Sequence, residues 1–312
     1  MFSSRGFTVT SSSFKGEVVD TITLPYSATI TYPVISADGS TLYVSVSGFF
    51  NNWIQVIDTA TATITDSFTG GTGSPHSMVM SPDDSTLWAG MSLNTSNAIF
   101  PYDTATQTTG ALRGQYLSFS QRPLISPDGS KIYFASRSNS QGVYRFNTST
   151  NSHYRIPGSS SYWYLDAALA GTKIFCTDGP NNSLRVFDTT TETLTGSISV
   201  ANYPWDILAS ADGSTVYTFR NITGNSGSVI DVSSQTVTGT INSAGGRSAC
   251  WNPQKTHIFL GRSGDLQVID AADEVVVETY SIGNGNCGMV WHPNGKTLYS
   301  INSAGNAVQI IQ

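Results

Sequence analysis

Charged side chains are scarce in this 312-residue chain. Asp, Glu, Lys and Arg together make up 12% of the residues, about half of the usual share. With a net charge of −6, the chain lacks the clustered basic residues of a nucleic-acid-binding surface, so we predict no nucleic-acid partner. Neutral polar residues such as Ser, Thr, Asn and Gly must keep its surface soluble instead.

Long apolar runs are also missing. No stretch is long and apolar enough to span a membrane. Residues 1–15, MFSSRGFTVTSSSFK, lack the basic start, continuous apolar run and small-residue cleavage site of a secretory signal. We treat them as an N-terminal arm, either a tail without regular structure or an extra strand, FTVTSSSF, that docks on a neighbour.

Cysteine and histidine are too few and too scattered to predict a metal centre. The cysteines form no CxxC pair and the histidines share no spacing: Cys176, Cys250, Cys287, His76, His153, His257 and His292. The sequence also contains no phosphate-binding glycine loop, GxSxG elbow or calcium loop. We therefore predict no metal and no cofactor. A disulfide between Cys250 and Cys287 and two buried free thiols both fit their positions.

One phrase recurs along the chain at intervals of 40 to 45 residues. It reads SADGSTLYVSV at 36, SPDDSTLWAGM at 81, SPDGSKIYFAS at 126 and SADGSTVYTFR at 210, with looser copies at 169, 252 and 292. Asp-Gly supplies the positive backbone dihedral of a tight turn, and the residues after it alternate like a half-buried strand. A repeat of this length is typical of a β-propeller blade.

A second phrase lies between the copies of the first. It reads IQVIDTATATITDSF at 54 and LRVFDTTTETLTGSI at 184, and each copy has the pattern strand, turn, strand. The Asp that ends the first of these strands caps the turn, and the following Thr residues favour turn and strand. Each repeat therefore predicts one sheet of four strands.

The two ends of the chain complement each other. The last repeat stops at AVQIIQ (307–312), which matches a third strand, whereas GEVVDTITLP (16–25) resembles a fourth strand. Pairing them completes the seventh blade and leaves no unpaired ends in the ring. We predict an all-β, seven-bladed β-propeller of four-stranded blades in residues 16–312, closed by the N-terminal strand, with 1–15 as a separate arm.

The turn-strand phrase and the third-strand phrases VIDTAT, VFDTTT and VIDAAD together resemble the YVTN-type seven-bladed β-propeller repeats over about residues 16–312. The resemblance implies a propeller fold and several functions, since relatives include cell-surface and surface-layer proteins, periplasmic binding proteins and lactonase-like enzymes. The fourth repeat departs by lacking the Asp-Gly turn, and the sixth carries PQKT in its place. No catalytic set of the lactonase branch can be matched to this chain.

Aromatic residues are concentrated in the loops that enter the innermost strands and in one loop that joins a second and a third strand. They are Tyr116, Phe119, Tyr162, Trp163, Tyr164, Tyr203, Trp205, Phe49, Phe50 and Trp53. Rings among Asn, Ser and Gly suit a sugar face or a protein interface. The alternative is that they fill gaps between blades.

The mouth of the central channel holds the other candidate residues. Four positions before each turn the sequence has Tyr32, Ser77, Arg122, Tyr164, Asp206, Ser248 and Gly288, and two positions before it Val34, Val79, Leu124, Asp166, Leu208, Cys250 and Val290. We expect Arg122 to contact Asp166 or Asp206, because a buried carboxylate needs a partner. If the two carboxyl groups approach each other, one acquires a raised pKa. His76, on an entering loop, could also face the channel.

Two classes of function fit these features. The first is a non-catalytic interaction or structural propeller, displayed in an extracellular, cell-surface or virion-like assembly, that binds a protein or a glycan and forms a homo-oligomer or larger assembly. The second is a lactonase-like hydrolase with Asp166, Asp206 and Arg122 at the channel mouth. The fold alone does not decide between them.

Overall fold

The computed structural model describes residues 14–25, 33–47, 52–71, 73–92, 97–114, 122–135, 142–159, 164–200, 203–220, 226–242, 244–262, 264–283 and 286–312. Within these ranges 28 strands form seven antiparallel sheets of four strands each. The first strands of consecutive sheets contact one another in a ring that the first and last sheets close. This arrangement confirms the predicted seven-bladed β-propeller.

The first three blades begin after the N-terminal strand. Blade 1 comprises β2 (Val34–Ile35), β3 (Thr41–Ser47), β4 (Asn52–Asp58) and β5 (Thr63–Phe68). Blade 2 comprises β6 (Ser74–Met80), β7 (Thr86–Ser92), β8 (Asn97–Asp103) and β9 (Thr108–Thr109). Blade 3 comprises β10 (Leu124–Ile125), β11 (Lys131–Ala135), β12 (Val143–Asn147) and β13 (His153–Arg155).

The remaining four blades follow the same order from the channel outwards. Blade 4 comprises β14 (Tyr164–Ala170), β15 (Lys173–Asp178), β16 (Ser183–Asp188) and β17 (Thr193–Ser199). Blade 5 comprises β18 (Pro204–Ala209), β19 (Thr215–Arg220), β20 (Gly227–Asp231) and β21 (Thr236–Ile241). Blade 6 comprises β22 (Ser248–Trp251), β23 (His257–Gly261), β24 (Gly264–Asp270) and β25 (Val275–Gly283). Blade 7 comprises β26 (Asn286–Trp291), β27 (Leu298–Asn302), β28 (Ala307–Ile311) and β1 (Val18–Thr23).

The two ends of the chain meet in blade 7, as predicted. Strand β1 runs antiparallel to β28, with Ile22 opposite Val308. Glu17 and Gln312 exchange backbone hydrogen bonds of 3.1 and 3.0 Å beyond the strand ends. Ile22 is buried in a cluster that joins blade 7 to blade 1. The fourth strand therefore closes both the sheet and the hydrophobic layer between the two blades.

The recurrent turn is held by its own side chains. In the first copy, the Ser36 hydroxyl donates to Asp38 Oδ1 (2.7 Å) and accepts from the Thr41 N–H (2.9 Å), while Gly39 has φ 79°. The Ser36 hydrogen bond lowers the pKa of Asp38 to about 2. Equivalent Ser–Asp pairs hold three other turns: Ser81–Asp83, Ser126–Asp128 and Ser210–Asp212. The motif recurs because each copy caps the hairpin between a blade's first and second strands.

Blade 4 departs from this pattern. In blade 1, Ser36 bonds to Thr41 across the turn, five residues later. In blade 4, Ala170 lies opposite Lys173, three residues later, so Gly171 and Thr172 alone form the turn. The turn of blade 4 is thus two residues shorter than the sequence alignment assumed. Residues of β14 consequently lie two positions away from their predicted level along the channel.

The described part of the chain contains one short 3-10 turn at Gly179–Asn181 and no helix that could cross a membrane. Apolar side chains fill the layers between adjacent blades. Between blades 1 and 2, for example, the Phe68 ring stacks on the Tyr102 ring at 3.7 Å. Cys176 and Cys250 are free thiols, so the disulfide alternative for Cys250 and Cys287 is not formed.

Replacing Ile22 tests the closure of the ring. Ile22→Ala removes a side chain that is 6% exposed, so we expect the free energy of unfolding to fall by about 2 to 5 kcal/mol. Val19→Ala, on the same strand but 52% exposed, should change it by less than about 0.5 kcal/mol. Urea unfolding measures both, and equal losses would contradict the closure of the ring by β1.

Candidate functional site

Polar side chains surround the channel at the level where the innermost strands begin. We call this ring the collar; its described side chains are Ser77, Arg122, Asp166, Asp206 and Ser248. Tyr32, which the sequence assigned to the same level, and the side chain of His76 lie outside the described residues.

The collar corrects one alignment made from the sequence. Spacing assigned Tyr164 to this level and Asp166 to the apolar level below it. Because the turn of blade 4 is short, Ala168 lies opposite Phe175, just as Leu208 lies opposite Tyr217 in blade 5. Ala168 therefore takes the apolar level, and Asp166 takes the same level as Asp206.

The sequence contained a signal for this register. The second strand of each blade has an aromatic residue near its start, the third residue in blades 1 to 6 and the second in blade 7: Tyr43, Trp88, Tyr133, Phe175, Tyr217, Phe259 and Tyr299. Each lies opposite a residue of the apolar level. Counting back from Phe175 through a two-residue turn leads to Ala168 and Asp166.

Arg122 spans the channel at the collar. It precedes the first strand of blade 3, yet its guanidinium lies 3.4 Å from Asp206 Oδ1 in blade 5 and donates to the Ala249 carbonyl oxygen in blade 6 (3.1 Å). It also donates to the Ile207 carbonyl oxygen (3.3 Å). The expected contact with Asp206 is therefore present.

Asp206 is fully buried but well supplied with hydrogen-bond donors. Besides Arg122, the Ile207 N–H donates to Oδ1 (2.7 Å) and the Ala249 N–H donates to Oδ2 (2.6 Å). Together with Arg122, these donors contact both oxygens of the Asp206 carboxyl group.

Asp166 has the opposite environment. It is fully buried, and neither oxygen accepts a hydrogen bond from a donor among the described residues. Burial raises the pKa of Asp166 well above its usual range, the nearby Arg122 opposes this, and the charge of Asp206 adds to it. The raised pKa favours the neutral form of Asp166.

The chemistry available at the collar is limited by burial. Asp166 and Asp206 are both 0% exposed, and the Arg122 side chain is 20% exposed. In the described part of the chain no three His, Cys, Asp or Glu residues are grouped closely enough to hold a metal ion. The hydroxyl groups of Ser77 and Ser248 are buried without a hydrogen-bond partner in the same ranges. The collar can thus hold ordered water, as buried polar sites commonly do.

Most of the predicted aromatic positions cannot be placed. Those outside the described residues are Phe49, Phe50, Tyr116, Phe119, Tyr162 and Trp163. Tyr164 and Trp53 are packing residues. Tyr164 is fully buried and its hydroxyl donates to the Ser159 carbonyl oxygen (3.2 Å), while half-buried Trp53 packs on the cluster between blades 7 and 1. The binding-face prediction is therefore wrong for Tyr164, which fills a gap between blades.

Among the predicted aromatic residues that the structure describes, Tyr203 is exposed. It belongs to the loop face, the side of the ring where loops enter the innermost strands. It is 37% exposed and has φ 51°, an uncommon conformation for a bulky residue. Its N–H donates to Asn182 Oδ1 (2.7 Å). Its ring lies against Gly179, where a Cβ would stand 3.2 Å from Tyr203 Cε1. The half-buried Trp205 follows two residues later.

A buried ion pair supports the loop beneath Tyr203. Asp178 is fully buried, and Arg185 Nε lies 3.2 Å from its Oδ2. Asn181 Nδ2 donates to both carboxylate oxygens at 2.9 Å. This ion pair was not predicted from the sequence. The sequence signal for the pair was the Asp that ends β15. This residue lies opposite the first residue of β16 in the hairpin. We name Asp178, Asn182, Arg185, Tyr203 and Trp205 the Tyr203 patch.

Comparisons with known proteins identify the fold alone. No family model matches the chain, and no curated protein matches its sequence. Among solved structures, a chain of the hydrazine synthase of Kuenenia stuttgartiensis is similar, with a TM-score of 0.74 and 17% identity, over 96% of this chain and 98% of that one. In all, 1628 chains of solved structures match, so the likeness does not select a function.

The pH dependence of stability tests the state of Asp166. Its raised pKa means that the folded state binds more protons than the unfolded state above about pH 4, so stability falls as pH rises, by up to about 1.4 kcal/mol per pH unit. The loss ends above the folded pKa and is absent below the unfolded one. Asp166→Asn should flatten this dependence in urea unfolding between pH 4 and 8.

Asp20→Asn is the matched control, since Asp20 is an exposed carboxyl on β1. This variant should keep the pH dependence of the original chain. An unchanged slope in Asp166→Asn would show that Asp166 is ionised in the folded protein.

Proposed function

We propose that this chain is a non-catalytic interaction propeller, displayed in an extracellular, cell-surface or virion-like assembly, whose Tyr203 patch binds a protein or glycan partner. The observation that carries the proposal is the exposed Tyr203 side chain. Its backbone has a positive φ, its N–H donates a hydrogen bond to Asn182, and its ring lies against Gly179. The YVTN-type character of the repeats, a part of the same proposal, rests on their turn and third-strand motifs.

Backbone strain supports a role for Tyr203. A left-handed conformation costs a non-glycine residue roughly 1 to 2 kcal/mol, and such strain is commonly found at functional sites. The buried Asp178–Arg185 pair and the Asn182 side chain fix the loop before any partner binds. A fixed aromatic ring loses little entropy on binding, and Tyr is enriched among the residues that dominate interfaces.

Exposed valines support the assembly part of the proposal. Val18 and Val19 lie on β1 of blade 7, and Val275 and Val277 on β25 of blade 6, each 39 to 52% exposed. These are the outermost strands of two adjacent blades. Apolar side chains along sheet edges favour association with another chain. We place the assembly contact at this outer edge.

The burial of the collar favours the non-catalytic function over the lactonase-like alternative. A hydrolase of that kind needs Asp166, Asp206 or Arg122 in contact with substrate. Both carboxyl groups are 0% exposed, and Arg122 is engaged with Asp206 and two backbone carbonyl groups. Hydrolysis of a lactone that is lost in Asp206→Asn would overturn the proposal.

Cross-linking at residue 203 tests the binding face. We expect Tyr203→p-benzoylphenylalanine to capture a defined partner in the native source on irradiation. The same photoreactive residue in place of Val237, which is 42% exposed on β21 of the same blade, should not capture it. If both positions capture the same proteins, the patch is not a specific interface.

A glycan array tests the other class of partner. Tyr203→Ala should weaken binding to any glycan the chain recognises by about 30-fold, the size expected for a dominant interface residue. Its melting temperature should stay near the original, because a strained, exposed side chain is removed. Val237→Ala should bind like the original chain. Undiminished binding by Tyr203→Ala would reject the assigned patch.

A further inference from the structure

Lys255 occupies a position where the repeat uses glycine. It has φ 59° in the turn of blade 6, and the equivalent residues of four other blades are Gly39, Gly129, Gly213 and Gly295. In blade 2 the residue is Asp84, whose carboxylate accepts a hydrogen bond from the Ala37 N–H (2.8 Å) and joins two turns. No such hydrogen bond or ion pair involves the Lys255 ammonium group within the described ranges. The departure from glycine thus has no structural explanation.

Lys255 lines a cavity in one half of the channel. This half lies on the side of the turns that join the first and second strands, which we call the turn face. The cavity measures about 500 Å³, within the range of small-molecule sites, and Arg122 lies at its inner end. Four residues separate the collar from the turn along each first strand, which gives a depth of about 13 Å at 3.3 Å per residue. The walls between are apolar and include Val34, Val79, Leu208 and Val290.

The charges around this cavity are of one sign. Arg122 and Lys255 line it, and no Asp or Glu is among its lining residues. Arg122 is already matched by Asp206. Lys255 is exposed on one side, and the removal of water from the rest of its side chain lowers its pKa, while the neighbouring Cys250 thiol opposes this shift. An anion at the turn face would supply a counter-charge.

We propose that the turn-face cavity binds an amphiphilic monocarboxylate, with its carboxylate on the Lys255 ammonium group and its hydrocarbon tail between the apolar walls. The tail ends below Arg122, whose guanidinium contacts Asp206 and the carbonyl oxygens of Ile207 and Ala249. This site is separate from the Tyr203 patch and does not depend on it.

Calorimetric titration of the full chain with octanoate and decanoate tests the proposal. We expect saturable binding of one ligand, about 15-fold tighter for decanoate, since each buried CH₂ contributes about 0.8 kcal/mol. Decanol, with the same tail and no charge, should bind more weakly. Sebacate should bind more weakly than decanoate because its second carboxylate enters the apolar end. The absence of saturable decanoate binding, or equal affinity for decanol, would overturn the proposal.

Variants at Lys255 separate the ligand site from stability. Lys255→Gln and Lys255→Gly should each weaken decanoate binding at least tenfold. Lys255→Gly restores the residue of the repeat, so its melting temperature should stay at or above that of the original chain. Lys296→Gln, at an exposed lysine of the neighbouring turn that does not line the cavity, should bind normally. Equal affinity in the Lys255 and Lys296 variants would overturn the assignment.

Discussion

The structure depends on the packing of each sheet against its two neighbours. A single four-stranded blade has two faces to bury, and apolar side chains fill the layers between blades. A row of blades would leave its first and last faces exposed to water. Pairing β1 with β28 completes blade 7, and the layer around Ile22 and Val44 then joins blade 7 to blade 1. Every other feature requires this closed ring.

Within the ring, local hydrogen bonds use most of the polar groups that the turns contain. Asp38 and its three equivalents are held by Ser hydroxyl groups, which explains how a chain with few charges keeps its hairpins in register. Residues that break this regular pattern are therefore informative. Lys255 has a positive φ where the repeat uses glycine, and Tyr203 has a positive φ although it is a bulky residue.

Most of the fold could be predicted from the sequence because the repeat gives seven independent readings of one hairpin. The Arg122–Asp206 contact could be predicted as well, since both residues occur at one repeat position. The alignment was wrong for Asp166 because a missing Asp-Gly turn in blade 4 hid a two-residue deletion. The sequences of the aromatic loops differ from blade to blade, so the repeat does not predict the structure of these loops. The burial of Tyr164, the first residue of β14, follows from its packing between blades 3 and 4.

The collar also determines which charge each end of the channel presents. Arg122 forms an ion pair with Asp206, and burial raises the pKa of Asp166 and favours its neutral form. The charge of Arg122 is therefore matched within the collar. In our proposals, the turn-face cavity attracts an anion through Lys255, and the loop face binds a partner through the Tyr203 patch. Arg122 lies between these two proposed surfaces, because its contacts reach from blade 3 to blades 5 and 6.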